Sequence, residues 1–217
     1  MKLIDAQIIA QEVIAALAPA CQRIEVAGGV RRHKPDPHDI EIVALPRFRE
    51  APLGFFDTQR VAETDEAISA ASASGLLRLD SEVKRNGSRY KRFLFSCSEH
   101  RPKGVIVSVP FCGCGTIVEL FLVHDPAQWG VIFAIRTGPA DFGHRLVTSR
   151  AQGGAMPVGA AVRDGWLTNM GTKVATREEH DYFSFIGVPY WPPEERTLAK
   201  LEAWLARGAG RGGEVLK

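Results

Sequence analysis

Two acidic residues on one short segment are the side chains in this sequence whose types and spacing best suit chemistry. Asp39 and Glu41 stand two residues apart in D-I-E-I-V-A-L, which has the apolar content of a β-strand. Successive side chains of a strand point to opposite faces, so both acids share one face, while Ile40, Ile42 and Leu45 supply apolar contacts. Neighbouring carboxylates repel each other, and a divalent cation is the usual reason to hold them together. The pair predicts a Mg²⁺ site that also takes substrate phosphates.

A Gly-Gly turn and two arginines precede this strand. Gly28 and Gly29 allow the backbone to approach an anion closely, and Arg31 or Arg32 can bind phosphate oxygens with a forked pair of hydrogen bonds. Together with the two acids, the turn predicts a metal-assisted phosphate site. A structural hairpin can carry the same residue types, so that alternative stays open at this point.

A third acid lies within an otherwise apolar, β-rich run. Glu119 is the one charged residue of T-I-V-E-L-F-L-V, residues 116–123. A charge in a buried strand is costly unless it is paired or bound to a metal. Glu119 is therefore either a further metal ligand or an edge-strand carboxylate that faces water.

Hydrophobic spacing predicts the elements that position these acids. Ile9, Val13 and Leu17 recur at helical intervals after Asp5, a plausible N-cap, and the predicted helix ends before Pro19. A strand at 23–27 then leads into the Gly-Gly turn. Further strands are predicted at 76–79, 90–97, 105–109 and 116–123, helices at 61–74, 128–135 and 197–205, and a loop at 46–60.

These motifs together resemble the nucleotidyltransferase signature of family X DNA polymerases, the group of polymerase beta. That family has G-S-x-R-R before D-x-D, and this chain has G-G-V-R-R before D-I-E, with Asp39 eleven residues after Gly28. The run around Glu119 matches the family's x-D-L-x-x-V, and N-G-S-R-Y-K-R-F resembles its G-x-T-K-x segment. The later stretches R-T-G, R-E-E-H-D-Y-F, G-V-P-Y and P-P-E-E-R follow in the family's order, so the resemblance covers about residues 5–197.

The resemblance implies an α+β fold in two domains. The first is a polymerase beta-type nucleotidyltransferase palm at 1–125, a mixed sheet with helices on one face. A small α/β C-terminal nucleotide-binding (thumb) domain follows at 126–206, with a disordered tail at 207–217. Seven residues of the closing match are expected to be structural: Glu178, Glu179, Phe183, Gly187, Pro189, Tyr190 and Pro193.

The implied activity is that of a DNA-directed DNA polymerase, which adds dNTPs to a primer 3′-hydroxyl by two-metal nucleotidyl transfer, in short-gap filling during DNA repair. Two Mg²⁺ ions, with Mn²⁺ as a substitute, would be bound by the catalytic residues Asp39, Glu41 and Glu119. The residues expected at the triphosphate are Gly28, Gly29, Arg32 and His38. Those expected at the nucleotide sugar and base are Arg136, Thr137, Gly138 and His144. Those expected to contact DNA are Lys84, Arg85, Arg89, Lys91, Arg92 and Arg145.

Several positions depart from the family pattern. Gly29 replaces a serine, Ile117 replaces an arginine, and Ile135 with Arg136 replace two aromatic residues. Two alternatives stay open: a nucleotidyltransferase acting on RNA or another acceptor, and a catalytically weak DNA-end-binding module, which Gly29, Ile117 and the two glutamates in place of aspartates suggest. The departures also predict weaker discrimination of dNTPs against rNTPs, unless Arg136 turns away and pairs with Asp141.

Composition is that of a globular protein, with 45% hydrophobic residues in 217 and a net charge of +2. Basic residues are concentrated in two segments: 76–103 has eight Lys/Arg against three acids, and 136–177 has six against two. They indicate a polyanion such as a primer-template or gapped DNA duplex, although each segment alone would suit a solvated face.

The sequence has no leader and no stretch of about 18 apolar residues, so we expect no membrane span, and a cytoplasmic monomer of bacterial or viral origin. The C-x-C pair lacks a second pair at zinc-ligand spacing. We therefore expect reduced thiols at Cys21, Cys97, Cys112 and Cys114.

Overall fold

The computed structural model describes residues 1–53, 57–81, 86–96 and 115–209. The strand predicted at 105–109 lies outside these ranges, as do the predicted site residues and thiols Lys84, Arg85, Cys97, Cys112 and Cys114. The chain divides into two compact units, Met1–His124 and Asp125–Lys217.

The first unit begins with a helix and continues mainly with strands. In chain order its elements are α1 (Leu3–Leu17), β1 (Cys21–Val26), α2 (Gly28–Arg31), β2 (Asp39–Pro46), β3 (Phe48–Leu53), β4 (Asp57–Ala62), α3 (Glu63–Ala73), β5 (Leu77–Leu79), β6 (Tyr90–Phe95) and β7 (Ile117–Leu122). Within the described residues, five strands form a sheet in the order β1-β2-β7-β6-β5. The central strands β2 and β7 pair in parallel, and the other neighbours pair antiparallel. The protein is thus α+β with a mixed sheet, which confirms the coarse fold class.

Helices α1 and α3 pack against one face of this sheet. Ile40 and Ile42 of β2 are completely buried in that core, together with Phe93 of β6 and Val118 of β7. Because side chains alternate between the faces of a strand, the residues between these core positions project from the opposite face. The opposite face is the one that carries the predicted acids.

Helix α1 confirms the predicted apolar stripe. Ile9, Val13 and Leu17 are all at most 1% exposed, as expected for positions four residues apart on one side of a helix. The residue at the N-cap position is Lys2 rather than Asp5. The helix ends at a short 3₁₀ turn containing Pro19, whose missing N–H cannot continue the helical hydrogen bonds.

The segment Leu3–Ala20 is apolar and long enough to cross a membrane, judged by length and composition among the described residues. One segment of this kind does not contradict the expectation that the chain has no membrane span. This finding is weak evidence for a membrane span, because the core helix of a globular unit passes the same test. The apolar side of α1 belongs to the core of the first unit.

The segment 46–60, predicted as a loop, contains a β-hairpin, so that prediction was wrong. Strands β3 and β4 pair antiparallel, with Phe48 opposite Ala62. Pro52 argued against a strand, but both strands of a two-stranded hairpin are edges, where proline is tolerated. The Arg60 guanidinium lies 3.8 Å from the centre of the Phe48 ring, and that ring packs edge-on against His124. These side-chain contacts support the hairpin despite its weak local preference.

The second unit combines helices with a small sheet. Its elements are α4 (Trp129–Thr137), α5 (Ala140–Val147), β8 (Ala160–Arg163), β9 (Trp166–Asn169), β10 (Thr172–Val174), α6 (Glu179–Ile186) and α7 (Leu198–Ala209). The three strands form an antiparallel sheet in the order β10-β9-β8 within the described part of the unit. Phe142, Tyr182, Phe183 and Leu201 are completely buried in its core. Helix α7 includes residues 207–209 of the predicted tail, and residues 210–217 lie outside the described ranges.

A buried ion pair joins α6 to the segment after it. The Glu179 and Arg196 side chains are 5% and 0% exposed, and Nη1 of Arg196 donates to Oε1 of Glu179 at 2.7 Å. The Arg196 Nε donates to the Trp191 carbonyl at 3.0 Å, and the Tyr190 hydroxyl donates to Oε2 of Glu179 at 3.3 Å. A buried pair with its remaining hydrogen bonds satisfied stabilises a unique conformation. Glu179 and Tyr190 are therefore structural, as expected.

Candidate active site

The parallel pairing of β2 and β7 brings the predicted acids together. Glu41 is the direct register partner of Glu119, and Asp39 is the partner of Ile117. Adjacent strands lie about 4.8 Å apart, so side chains at paired positions leave the same face side by side. All three acids are half-buried. The structure thus gathers Asp39, Glu41 and Glu119 on one face of the two central strands, opposite the face covered by α1 and α3.

The Gly28 turn lies directly against one of these acids. The Ala27 N–H donates to the Glu41 carbonyl at 2.8 Å, which holds the turn beside β2. Gly28 has a φ of +59°, and a Cβ added there would overlap Oε2 of Glu41. Position 28 therefore requires glycine both for its left-handed backbone and for the close approach of the carboxylate.

The other residues predicted at the triphosphate lie around the same turn. The Arg32 N–H donates to the Gly28 carbonyl at 3.2 Å, and Arg32 itself is half-buried. His38 is exposed and directly precedes Asp39. A Cβ added at Gly29 would meet Pro37 and Lys34 only at ordinary contact distances of 3.6 to 3.8 Å. The space at position 29 can therefore accommodate a small side chain, in contrast to position 28.

Sequence reasoning missed the partner of Glu119. The Tyr90 hydroxyl, from the adjacent strand β6, donates to Oε1 of Glu119 at 2.6 Å. The Tyr90 ring also packs against Phe121, with ring centres 5.3 Å apart. The sequence places Tyr90 and Arg92 two residues apart, which puts both side chains on one face of β6. This spacing points to Glu119 only once the register of β6 on β7 is known.

The carboxylates of Glu41 and Glu119 point to different neighbours. Glu41 lies against the turn after β1, whereas Glu119 is bonded to Tyr90 on the other side of β7. Among the described residues, no group of three His, Cys, Asp or Glu side chains lies close enough to hold a metal ion. The donor types and the backbone register suit Mg²⁺, and the side chains would have to turn toward each other to bind it.

The predicted DNA contacts on β6 lie on opposite faces of the sheet. Arg92 is the register partner of Glu119, on the acidic face, and its Nε lies 3.1 Å from a carboxylate oxygen of the largely buried Asp80. Lys91 is on the helix-covered face, with Nζ 3.7 Å from Asp65. Arg89 is exposed just before the strand. The ion pairs of Lys91 and Arg92 reduce the charge that either can present to a polyanion.

The predicted sugar and base contacts lie at the junction of α4 and α5. Thr137 is completely buried and Arg136 is exposed beside it. A Cβ at Gly138 would overlap the Phe142 ring, so this glycine permits the close packing of α5 on the end of α4. His144 is exposed on α5. Next to it, Arg145 is ion-paired with Glu202 at 2.6 Å.

Two other titratable groups have pKa values displaced by burial. The Cys21 thiol is 5% exposed, and burial raises its pKa from 9.0 to about 11, with a smaller opposite effect of the Arg47 charge. Burial raises the pKa of Tyr182 well above its ordinary value, and its hydroxyl donates to the Leu146 carbonyl at 3.2 Å. Both groups stay neutral at physiological pH, which makes them core residues rather than nucleophiles.

No protein-family model matches this chain, and no curated protein matches it. The class of protein is therefore defined by the structure itself: an α+β chain of two units, with three carboxylates and a glycine turn on one face of a mixed sheet.

Proposed function

We propose that this protein is a nucleotidyltransferase of the family X DNA polymerase type, which transfers a deoxynucleotidyl group from a dNTP to a primer 3′-hydroxyl. Its setting would be short-gap filling on DNA by a cytoplasmic monomer. The first unit would be the polymerase beta-type palm, and the second the nucleotide-binding domain. The observation that carries the proposal is the register pairing of Glu41 with Glu119, with Asp39 on the same face and the Gly28 turn against Glu41.

The acids suit the cations that this reaction uses. Asp39, Glu41 and Glu119 would together hold two Mg²⁺ ions, since Mg²⁺ prefers carboxylate oxygens combined with substrate phosphates. When bound, the ions would lower the pKa of the primer hydroxyl and stabilise the leaving pyrophosphate. The half-buried position of the acids supports this role, because a less hydrated carboxylate interacts more strongly with a cation.

The glycine turn would bind the triphosphate. The space beside Gly28 is taken by the Glu41 carboxylate, so a phosphate would approach the backbone N–H groups of the turn at Gly29, where an added Cβ would meet only ordinary contacts. Arg32 lies at the end of the same turn and can bind phosphate oxygens through its forked N–H groups. Gly29 lacks the hydroxyl that a serine would offer, so one phosphate hydrogen bond of the family pattern is absent there.

Tyr90 would control the conformation of Glu119. The hydrogen bond at 2.6 Å engages Oε1 and leaves Oε2 as the second acceptor of the carboxylate. A short bond to an ionised acceptor is among the stronger hydrogen bonds in proteins. Tyr90 thus limits the rotamers of Glu119 without entering the reaction itself.

Extension of a labelled primer on gapped DNA, with dNTP and Mg²⁺ or Mn²⁺, tests the proposal. We expect incorporation by the parent and loss of at least about a hundredfold in Asp39→Asn and Glu41→Gln, since the cations carry most of the charge stabilisation. Glu50→Gln removes an exposed carboxylate of β3 and is the matched control, with parent activity expected. Full activity of Glu41→Gln would refute the assignment of the site.

The divergence of the two glutamates favours a second candidate, a DNA-end-binding module with weak catalysis. Glu119 is already engaged by Tyr90, and its reorientation toward Glu41 would cost that hydrogen bond. Such a module would bind gapped DNA with the affinity of a polymerase and extend it very slowly. Binding and extension measured on the same gapped DNA separate the two candidates.

A further inference from the structure

The second unit contains a cleft of about 800 Å³, whose lining includes Arg145, an expected DNA contact, but none of the three acids or the residues of the Gly28 turn. Its walls come from α5, from the 3₁₀ turn Arg150–Gln152 with the glycines after it, from the C-terminal end of α6, and from α7. The volume lies in the range of sites for small organic ligands, about 300–1,000 Å³. Its lining combines arginines with an indole ring, and this combination restricts the chemistry of a ligand.

Positive charge predominates in this cleft. The described residues that line it include Arg145, Arg150 and Arg207 against one acid, Glu202. Arg145 is paired with Glu202 at 2.6 Å, and Nη2 of Arg150 donates to the Ile186 carbonyl at 2.8 Å. A guanidinium has five N–H donors, so these single bonds leave most of the donors of both arginines for a ligand.

Two glycines keep these guanidinium groups close to the backbone. Gly153 and Gly187 have φ values of +80° and +69°, and each is the C-cap of a helical segment. A Cβ at Gly153 would lie 3.4 Å from Nη1 of Arg145, and one at Gly187 would lie 3.4 Å from Nη2 of Arg150. Because the glycines leave room for the arginines, both side chains rest against fixed backbone, which lowers the entropy lost when an anion binds.

An indole ring forms the other part of the lining. Trp204 is 38% exposed, and its Nε1 donates to the Gly187 carbonyl at 3.3 Å. This bond ties one edge of the ring to the same turn that supports Arg150. A partly exposed aromatic ring beside arginines is the arrangement on which nucleic-acid bases stack, with about 1–3 kcal/mol per base.

We propose that this cleft binds a nucleoside phosphate, with the phosphate on Arg145, Arg150 and Arg207 and the base stacked on Trp204. A bare anion would leave the ring unused, and an uncharged aromatic compound would leave the arginines unused. A free nucleotide and the phosphorylated end of a DNA strand share this chemistry. The inference goes beyond the proposed polymerase reaction and does not depend on it.

Calorimetric titration of the full chain in EDTA tests the proposal, with dAMP, deoxyadenosine and inorganic phosphate as probes. We expect dAMP to bind at least about tenfold more tightly than either fragment, since only dAMP engages both parts of the cleft. Affinity for dAMP equal to that for phosphate or for deoxyadenosine would overturn the proposal.

Variants at the cleft locate the binding. Arg207→Ala should weaken dAMP binding about tenfold, because one charge-assisted contact is lost. Glu202→Gln should strengthen dAMP binding about threefold, because the substitution frees Arg145 and removes a charge that repels the phosphate. Arg163→Ala, an exposed arginine of β8, is the matched control and should leave the affinity unchanged. Parent affinity in both Arg207→Ala and Glu202→Gln would overturn the proposal, and neither exposed position is needed for folding.

The two sources of the ligand are separated with short single-stranded oligonucleotides. If strand ends are the ligand, a 5′-phosphorylated oligonucleotide binds more tightly than its 5′-hydroxyl counterpart, and Arg207→Ala reduces that difference about tenfold. If free nucleotides are the ligand, neither oligonucleotide displaces dAMP. The affinity for dAMP still depends on Arg207 and Glu202. Either result supports a nucleoside phosphate site.

Discussion

The Tyr90 hydroxyl donates a hydrogen bond to Oε1 of Glu119 across the β6–β7 pair, with the two oxygens 2.6 Å apart. Tyr90 is two residues from Arg92, which lies directly opposite Glu119 but pairs with Asp80 instead. The hydrogen-bond donor to Glu119 is thus the neutral Tyr90 hydroxyl, although the cationic Arg92 lies opposite it in the register. The hydrogen bond from Tyr90 restricts the orientation of the Glu119 carboxylate.

Tyr90→Phe should lower kcat for nucleotide incorporation about tenfold, because loss of one hydrogen bond to a charged group frees Glu119 to adopt other rotamers. The Mg²⁺ concentration needed for half-maximal rate should rise, whereas KM for DNA should not change. Primer extension over a Mg²⁺ series measures both effects. Tyr190→Phe removes a tyrosine bond to the buried Glu179 and is the matched control. An unchanged Mg²⁺ dependence in Tyr90→Phe would show that the bond has no part in metal binding.

Gly28→Ala should destabilise the protein by at least about 2 kcal/mol, since alanine is strained at a φ of +59° and its Cβ overlaps Glu41. Gly29→Ala is the matched control, and its effect should stay below about 1 kcal/mol because the added Cβ meets only ordinary contacts. Urea unfolding measures both. The double variant Gly28→Ala, Glu41→Ala should recover part of the loss, since the overlap is removed. Strict additivity of the two substitutions would contradict the contact.

Gly29→Ser should raise kcat/KM for dNTPs about tenfold if the proposed triphosphate site is right. The space at position 29 accepts a small side chain, and a hydroxyl there can donate to a phosphate oxygen. Gly29→Ala fills the same space without a donor and should bring no gain. Equal kinetics of the serine and alanine variants would exclude a phosphate from this position.

Glu179→Ala should cost about 3–5 kcal/mol of stability, because it leaves the buried Arg196 guanidinium without its counter-charge. Glu195→Ala breaks the exposed pair with Lys200 in the same unit and should cost at most about 1 kcal/mol. Thermal or urea unfolding of the two variants gives the comparison. Similar losses in both would mean that burial does not govern the strength of these pairs.

Stability should fall between about pH 9 and pH 11 through the Cys21 thiol. Burial raises its pKa from 9.0 to about 11, so the unfolded chain loses this proton at a lower pH than the folded protein. The contribution of the buried neutral thiol to the stability of the fold is complete below pH 9 and is lost as the pH rises through 11. Cys21→Ala should therefore show a weaker decline than the parent in urea unfolding over this range. Parallel pH profiles would indicate that the thiol titrates normally in the fold.

Local patterns in the sequence were enough to predict several helices and strands of the fold and the types of residue at the candidate site. The spacing of Ile9, Val13 and Leu17 predicted α1, and the alternation around Asp39 and Glu41 predicted β2. These signals are local, because helical and strand periods are properties of neighbouring residues in the chain.

Tertiary structure alone decided which distant residues meet. Strands β3 and β4 pair although Pro46, Pro52 and Gly54 suggested a loop, because contacts such as Arg60 on Phe48 outweigh weak local preference. The register of β6 on β7 decided that Tyr90 reaches Glu119, and that Lys91 instead faces the helices. A shift of one residue would exchange the two faces, and no local pattern encodes such a register. Pairing between strands far apart in the chain is set by burial of the whole core, and the geometry of the acids follows from it.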